Sequence, residues 1–222
     1  GAVFTYQGEK VGAIIRYAVK DRKPTTFPDL AKASDADLVN VHLASASAVC
    51  RQQTQNEILR RGAKLVVAVD VGYGQLAWEL RQDARVKILD RTNIRHLTGD
   101  QISEDIDLVV ADLSFISLSL VLPALAAVSR PDADFVLMVK PQFEVGREKL
   151  GAGGVVRDPA LRRAAVLDIA ESAYDVGLGT LGIAASPLPG PAGNVEYFLW
   201  LRRGAPEINE QALDDAIAAG PE

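Results

Sequence analysis

The chain has 222 residues, 48% of them hydrophobic, which is enough to bury one sizeable core. Its formal net charge of -5 and pI near 5.2 exclude a strong general attraction to nucleic acid or anionic membranes, while leaving room for a local basic groove. A single cysteine, Cys50, rules out a disulfide within the chain. We find neither a signal-peptide pattern nor an apolar run near the roughly 20 residues of a membrane span. We therefore expect a soluble, cytoplasmic protein with no membrane partner.

The first sixty residues carry weak structural signals: the pattern favours a helix over Lys10–Val19 and a strand over Leu38–Leu43. From Ala63 onward, strand-like and helix-like segments alternate regularly. The strands are expected near residues 65–69, 86–89, 108–112 and 135–139, and the helices near 75–81 and 115–128. This alternation predicts an α/β fold with a mainly parallel sheet, helices on both faces and right-handed crossovers.

The C-terminal third begins with the clearest helix of the chain, from Asp158 to Val176. Asp158 is a favourable N-cap, Pro159 suits the first helical position, and Gly177 follows as a C-cap. Two strands, near residues 182–185 and 195–201, flank a proline- and glycine-rich loop, which predicts an antiparallel pair at the sheet edge. The acidic segment that follows is expected to hold a short surface helix near residues 210–218.

Three apolar runs end on an ionisable residue: Asp70, Asp112 and Lys140. The runs are short and rich in β-branched residues, as strands buried on both faces are. In a parallel sheet the carboxyl ends of the strands line the ligand crevice, so these three charges are expected to converge on one site.

Each of these residues also has a purely structural interpretation. Asp70 suits either hydrogen bonding to a ribose or a helix cap, and Asp112 is also compatible with a cap. Lys140 is harder to explain in this way, because it interrupts an apolar strand just before Pro141. Burial disfavours the charged form of an amine, which is what a general base requires.

The segment from Glu144 to Asp158 combines three cationic residues with four glycines. Arg147, Lys149 and Arg157 suit either contacts to a phosphate backbone or a solvated connector. The motifs of serine hydrolases and P-loop proteins are absent, and the two histidines and one cysteine cannot form a closed zinc site. On the residues alone, the second choice is a nucleotide-binding oxidoreductase.

Five segments together resemble the TlyA (hemolysin A) family of S-adenosylmethionine-dependent ribosomal RNA 2′-O-methyltransferases, which belongs to the FtsJ-like group. The segments occur in the family's order and lie within residues 58–203. They span residues 68–78, 111–117, 139–144, 153–159 and 186–198.

The resemblance implies a Rossmann-like class I methyltransferase fold, S-adenosylmethionine as cofactor, ribosomal RNA or a ribosomal subunit as partner, and no metal. It implies a Lys-Asp-Lys-Glu catalytic tetrad, whose last three members match Asp112, Lys140 and Glu196. Lys10 is a loose match to the first lysine. The cofactor-binding positions it implies are Asp70, Gly72 and Asn93.

The chain departs from the family pattern upstream of the matching region. The family's glycine-rich cofactor loop, D-x-G-x-S-T-G-G-F-T, is replaced by residues 46–54, which contain no glycine. We therefore divide the chain into a divergent N-terminal part (1–57), a methyltransferase core (58–203) and an acidic tail (204–222), with no S4-like RNA-binding module. The departure motivates an alternative function, a catalytically impaired RNA- or ribosome-binding relic. A membrane-active toxin is disfavoured because no spanning or basic amphipathic segment is present.

Overall fold

The structure is a computed structural model that describes residues 11–16, 63–74, 76, 78–190 and 192–221. These residues form a seven-stranded sheet in the order β3-β2-β1-β4-β5-β7-β6. The strands are β1 (Val11–Arg16), β2 (Leu65–Val69), β3 (Val86–Leu89), β4 (Ile106–Asp112), β5 (Ser129–Val139), β6 (Leu178–Ala185) and β7 (Tyr197–Arg203). Neighbours among β1 to β5 pair in parallel, and β7 runs antiparallel to both β5 and β6. The predicted α/β class, parallel sheet and antiparallel C-terminal strands are confirmed.

Within the described residues, five α-helices connect or follow the strands. They are α1 (Trp78–Gln82), α2 (Leu122–Ala127), α3 (Pro141–Glu144), α4 (Pro159–Asp175) and α5 (Glu210–Ala218). The predicted boundaries of α4 agree with the structure, and the Asp158 carboxylate accepts a hydrogen bond from the Ala160 N–H at 2.8 Å. The predicted helix over 115–128 is shorter than expected, because a 3₁₀ turn (Leu118–Leu120) precedes α2 and Pro123 lies in the first turn of that helix.

The helix predicted over Lys10–Val19 is wrong, because Val11–Arg16 is a strand in the middle of the sheet. Gly12 pairs with Val66 of β2 on one side and with Leu108 of β4 on the other. Pairing on both edges satisfies the backbone donors and acceptors, so tertiary context overrides a weak local pattern. The strand expected at Leu38–Leu43 lies outside the described residues.

Alternating strand residues point to opposite faces of the sheet, and in β5 both faces are buried. Phe135, Leu137 and Val139 belong to the large core cluster, whereas Val136 and Met138 belong to a smaller cluster with Phe198. This explains why the run is apolar at every position. No helix within the described ranges has the length and apolar character needed to cross a bilayer.

The acidic C-terminal segment is packed onto the core through α5. Leu213 is fully buried, and Arg163 of α4 bonds Glu210 and Asp214 at 2.7 and 2.6 Å. A second contact holds the preceding chain, since the Thr180 N–H donates to the Pro206 carbonyl at 2.7 Å. The segment therefore covers part of the core that carries β6 and α4.

Leu213→Ala is expected to lower the free energy of unfolding by about 2–5 kcal/mol, because it removes a buried side chain and leaves a cavity. Urea denaturation measures this change. Gln211→Ala, at an exposed position of the same helix, is the control and should change stability by less than about 0.5 kcal/mol. Equal effects of the two substitutions would show that α5 contributes little to the core.

Candidate active site

Three ionisable side chains meet at the carboxyl edge of the parallel strands. Asp112 is the last residue of β4, Lys140 follows β5, and Glu196 precedes β7. Because β7 is antiparallel to β5, its first residue lies opposite the last residue of β5, as the Val139–Tyr197 pairing shows. The topology therefore brings together residues that are 84 positions apart at the extremes (112 to 196).

Lys140 is the centre of this cluster. Its Nζ lies 2.6 Å from Asp112 Oδ1, 3.9 Å from Glu196 Oε1 and 3.4 Å from Ser114 Oγ, to which it donates a hydrogen bond. Lys140 and Asp112 are each 8% exposed, and Glu196 is 5% exposed. The described residues thus place two carboxyl groups and one amine together in a buried position, an arrangement that is common at sites that bind or move protons.

Gly190 leaves the space that the Glu196 side chain occupies. A Cβ atom at residue 190 would lie 2.6 Å from Glu196 Oε1, closer than carbon and oxygen can approach. The Gly190 N–H also donates to the Asn194 carbonyl at 2.8 Å, which closes the loop just before Glu196. The glycine at this position thus permits the observed position of the carboxylate.

The loop after Asp112 contains an unusual residue, Phe115. Its φ of +63° lies in the left-handed region, which is uncommon for an aromatic residue, and its side chain is 74% exposed. The ring lies 5.1 Å from the ring of Phe143, between centroids, at an angle of 49°. Strain and exposure of this kind concentrate at functional sites, so Phe115 is a candidate for substrate contact.

Glu144 ties this loop to the segment that follows Lys140. Its Oε1 accepts a hydrogen bond from the Leu118 N–H at 3.0 Å. Burial raises the pKa of the Glu144 carboxyl, Asp168 raises it further, and hydrogen bonds from Ser117 and Leu118 oppose these effects. Burial therefore destabilises the charged form of Glu144, while its hydrogen bond to Leu118 connects the two loops.

A pocket of about 700 Å³ opens beside the cluster at the same edge of the sheet. Its volume falls within the range of small-molecule and cofactor sites. Apolar side chains form much of the wall, and Gln142, Ser114 and Asn93 contribute polar groups. The lining residues are Val69, Val71, Thr92, Asn93, Ile94, Arg95, Leu113, Ser114, Phe115, Ile116, Ser117, Leu120, Gln142, Phe143, Val145 and Leu150.

The sequence-predicted cofactor residues lie at the rim of this pocket. Asp70 follows β2, between the lining residues Val69 and Val71, and its Oδ1 accepts a hydrogen bond from the Gly72 N–H at 2.7 Å. Asn93 lines the pocket directly, and its side chain accepts from the Arg95 N–H at 3.1 Å. Asp70 therefore organises its own turn, and α1 begins eight positions later, at Trp78.

The loop that carries the predicted RNA-binding residues is attached to the Glu196 segment. Lys149 and Arg157 are exposed, and Arg147 begins a short 3₁₀ turn in the same loop. Asn194 fastens this loop with both ends of its amide: Nδ2 donates to the Gly154 carbonyl at 3.1 Å, and Oδ1 accepts from the Val156 N–H at 2.9 Å. Asn194 is only 3% exposed, so the attachment is internal.

Two sequence predictions about the site concern residues that the structure does not describe. Lys10 and the glycine-free segment 46–54 lie outside the described residues. Conversely, sequence analysis assigned no role to Phe115, Gln142, Glu144, Gly190 or Asn194, although all five fall within the motifs it quoted. The one signal available in the sequence was the charge of Glu144, three positions after Pro141. The other contacts arise only when the chain folds.

Comparison with known proteins identifies the family of the chain. The model of the FtsJ-like methyltransferase family matches residues 45–203. The chain belongs to the FtsJ-like methyltransferase family. The resemblance found in the sequence motifs is thereby confirmed.

The most informative relatives carry the names that the motifs suggested. The chain is 58% identical over 161 residues to the 16S/23S rRNA (cytidine-2′-O)-methyltransferase TlyA of Mycobacterium tuberculosis. This match covers 72% of this chain and 60% of the relative. It is 33% identical to Hemolysin A of Brachyspira hyodysenteriae, over 64% of this chain and 59% of the relative. The solved structure of "Putative hemolysin from Streptococcus thermophilus" superposes with a TM-score of 0.70 at 37% identity, over 74% of this chain and 61% of that one. The match to the first two relatives thus spans about 60% of their length.

Glu144→Gln is expected to change the pH dependence of stability. Because the folded-state pKa of Glu144 is raised, its contribution to stability is present below the unfolded pKa and is lost as pH rises through the folded pKa. The amide keeps an acceptor for Leu118 without the buried charge. The variant should therefore gain stability relative to wild type as the pH rises above the ordinary glutamate pKa of about 4.3.

Urea unfolding at several pH values measures this difference in the free energy of unfolding. Glu171→Gln, at an exposed position of α4, is the matched control and should show no such trend. A difference between Glu144→Gln and wild type that stays constant with pH would contradict the assignment of a costly buried charge at Glu144.

Proposed function

We propose that the chain is an S-adenosylmethionine-dependent RNA methyltransferase that acts on a ribose 2′-hydroxyl of ribosomal RNA. The observation that supports this most strongly is the buried Asp112–Lys140–Glu196 cluster beside the pocket. A lysine held between two carboxylates can exchange a proton with a hydroxyl. The three residues together would bind a metal ion poorly. The family membership and the rRNA methyltransferase name of the relative support the same reaction.

The pocket has the chemistry that a nucleoside cofactor requires. Apolar residues such as Ile94 and Leu113 suit the faces of an adenine ring, and Asn93 offers an amide at the edge. The carboxylate of Asp70 lies where strand β2 ends, the usual place for a hydrogen bond from ribose hydroxyls. When bound, the cofactor supplies an electrophilic methyl group.

The residues of the cluster divide the work of activating the hydroxyl. A 2′-hydroxyl is a weak nucleophile, so its proton must leave as the new bond forms. Lys140 accepts or steers this proton, Asp112 fixes the position of the lysine at 2.6 Å, and Glu196 completes the charge network. The rest of the acceleration comes from positioning the reacting groups, which a rigid sheet edge favours.

Several features suit an RNA substrate. Phe115 presents an exposed ring at the pocket, and unstacked bases bind readily to aromatic side chains. Lys149 and Arg157 are exposed on the adjoining loop, where they can contact phosphates. Attack by a 2′-hydroxyl also selects RNA over DNA.

Lys140→Met is expected to lower methyl transfer to ribosomal RNA by at least about 100-fold, since proton transfer by a positioned group contributes about this much. The methionine keeps an apolar side chain of similar length, so cofactor affinity should change little. Incorporation of a radioactive methyl group measures the transfer, and calorimetry measures the affinity. The control is Lys87→Met, which removes a lysine of β3 that is paired with Glu104. Retained turnover in Lys140→Met would overturn the role of Lys140.

Asp70→Asn is expected to weaken S-adenosylmethionine binding by roughly 10-fold or more, because hydrogen bonds to a charged acceptor are worth about 1.5–3 kcal/mol. Asparagine keeps the acceptor for Gly72, so the turn should persist. Calorimetric titration of the cofactor into the purified chain measures the affinity. Asp83→Ala, at a surface turn paired with Arg85, is the control, and an unchanged affinity in Asp70→Asn would exclude the ribose contact.

A second candidate is a relic of the same fold that binds RNA or the ribosome without methylating it. The glycine-free segment 46–54 favours this alternative, because glycine permits a close backbone approach to a ligand and larger residues do not. The two functions differ in one measurement. RNA binding without cofactor binding or methyl incorporation identifies the relic, whereas saturable cofactor binding identifies the enzyme.

A further inference from the structure

Gln142 contacts the same carboxylate oxygen that faces Lys140. Its Nε2 donates a hydrogen bond to Glu196 Oε1 at 3.0 Å, while Lys140 Nζ lies 3.9 Å from that oxygen. Lys140 instead forms its close ion pair with Asp112 at 2.6 Å. The two carboxylates of the cluster are therefore not equivalent: one is paired with the lysine and the other is held by the amide.

The orientation of the Gln142 amide follows from its partner. An ionised carboxylate accepts hydrogen bonds and cannot donate them, so the NH₂ group must face Glu196. The amide oxygen then points elsewhere, and Gln142 Oε1 is buried with no hydrogen-bond partner among the described residues. Leaving this oxygen unpaired costs free energy, which indicates that the contact to Glu196 determines where Gln142 lies.

Gly190 leaves room for the Glu196 carboxylate on this side. Gly190 lies so close that even a Cβ atom there would collide with Oε1 at 2.6 Å. Among the described residues, the amide of Gln142 and the ammonium of Lys140 are two donors that face this oxygen. Gln142 lies on α3, two residues after Lys140, so one short helix positions both competitors for the oxygen.

We propose that Gln142 is a positioning residue that holds Glu196 away from Lys140, so that Asp112 alone forms a close ion pair with the lysine. This inference rests on the proposed function. A base must be neutral to accept the proton of the hydroxyl, and each carboxylate that approaches an ammonium favours its charged form. The described groups facing Lys140 are Asp112 from β4, Glu196 before β7 and the hydroxyl of Ser114. Gln142 thus limits the pull of the second carboxylate.

Gln142→Leu tests the proposal through the pH profile of methyl transfer. Without the amide, Glu196 Oε1 can shorten its distance to Lys140, and the added attraction at an effective dielectric of about 20 corresponds to about one pH unit. The rising limb of the rate should therefore move to higher pH by about one unit. The rate should fall about tenfold at pH values below the rising limb and change little at pH values above it. A general loss of folding would not produce this pattern.

A measurement that needs no methyl transfer separates this proposal from the proposed function. We would follow the titration of Lys140 by NMR of ¹³C-labelled lysine ε-carbons, assigned with Lys140→Met. The midpoint should move upward by about one unit in Gln142→Leu and in Gln142→Met, the second variant in case the first folds poorly. Gln211→Leu, on the surface of α5, is the control and should leave the midpoint unchanged.

The outcomes are distinct. A shifted Lys140 midpoint in a protein that shows no methyl transfer supports the positioning role and overturns the proposed function. An unchanged midpoint and an unshifted pH profile overturn the positioning role, even where the variant is slower. A shift of both the Lys140 midpoint and the pH profile of methyl transfer supports the proposal.

Discussion

The site depends on one interaction, the ion pair between Asp112 and Lys140 at 2.6 Å. Both residues end apolar strands and are almost fully buried, so each charge would be costly without the other. The pair is possible because β4 and β5 are parallel neighbours and therefore end at the same edge. Glu196 joins it because β7 is antiparallel to β5 and begins where β5 ends. The chemistry of the cluster is thus a direct consequence of strand direction.

Much of this arrangement could be predicted from the sequence, and the rest could not, for physical reasons. Apolar runs that end on Asp70, Asp112 and Lys140 indicate strand ends, because a short strand buried on both faces is apolar throughout and rich in β-branched residues. The cap and proline of α4 fix its start for similarly local reasons. By contrast, β1 has a weak local pattern and is a strand because two neighbours pair with it. The pairing of β1 therefore depends on its neighbours in the sheet and could not be predicted from its own residues.

Three of the unpredicted site residues share one property: their roles come from contacts between distant segments of the chain. Gln142 contacts Glu196 across 54 positions, and Glu144 contacts Leu118 across 26. Asn194 reaches Gly154 across 40. Each connects loops that follow different strands, so neither residue type nor spacing within one segment indicates them. These contacts make the loops around the pocket one unit.

The placement of charge reconciles an acidic chain with the nucleic-acid substrate proposed above. Part of the acidity lies on α5, where Arg163 bonds Glu210 and Asp214 on the side of the helix that packs against α4. Near the pocket, Arg95, Lys149 and Arg157 are exposed, and the guanidinium of Arg91 stacks over the ring of Tyr73 at 4.5 Å. Because charges are screened beyond about 10 Å at ordinary salt concentrations, a phosphate at the pocket responds mainly to the charges closest to it. Net charge therefore says less about RNA binding here than the distribution of charge around the sheet edge.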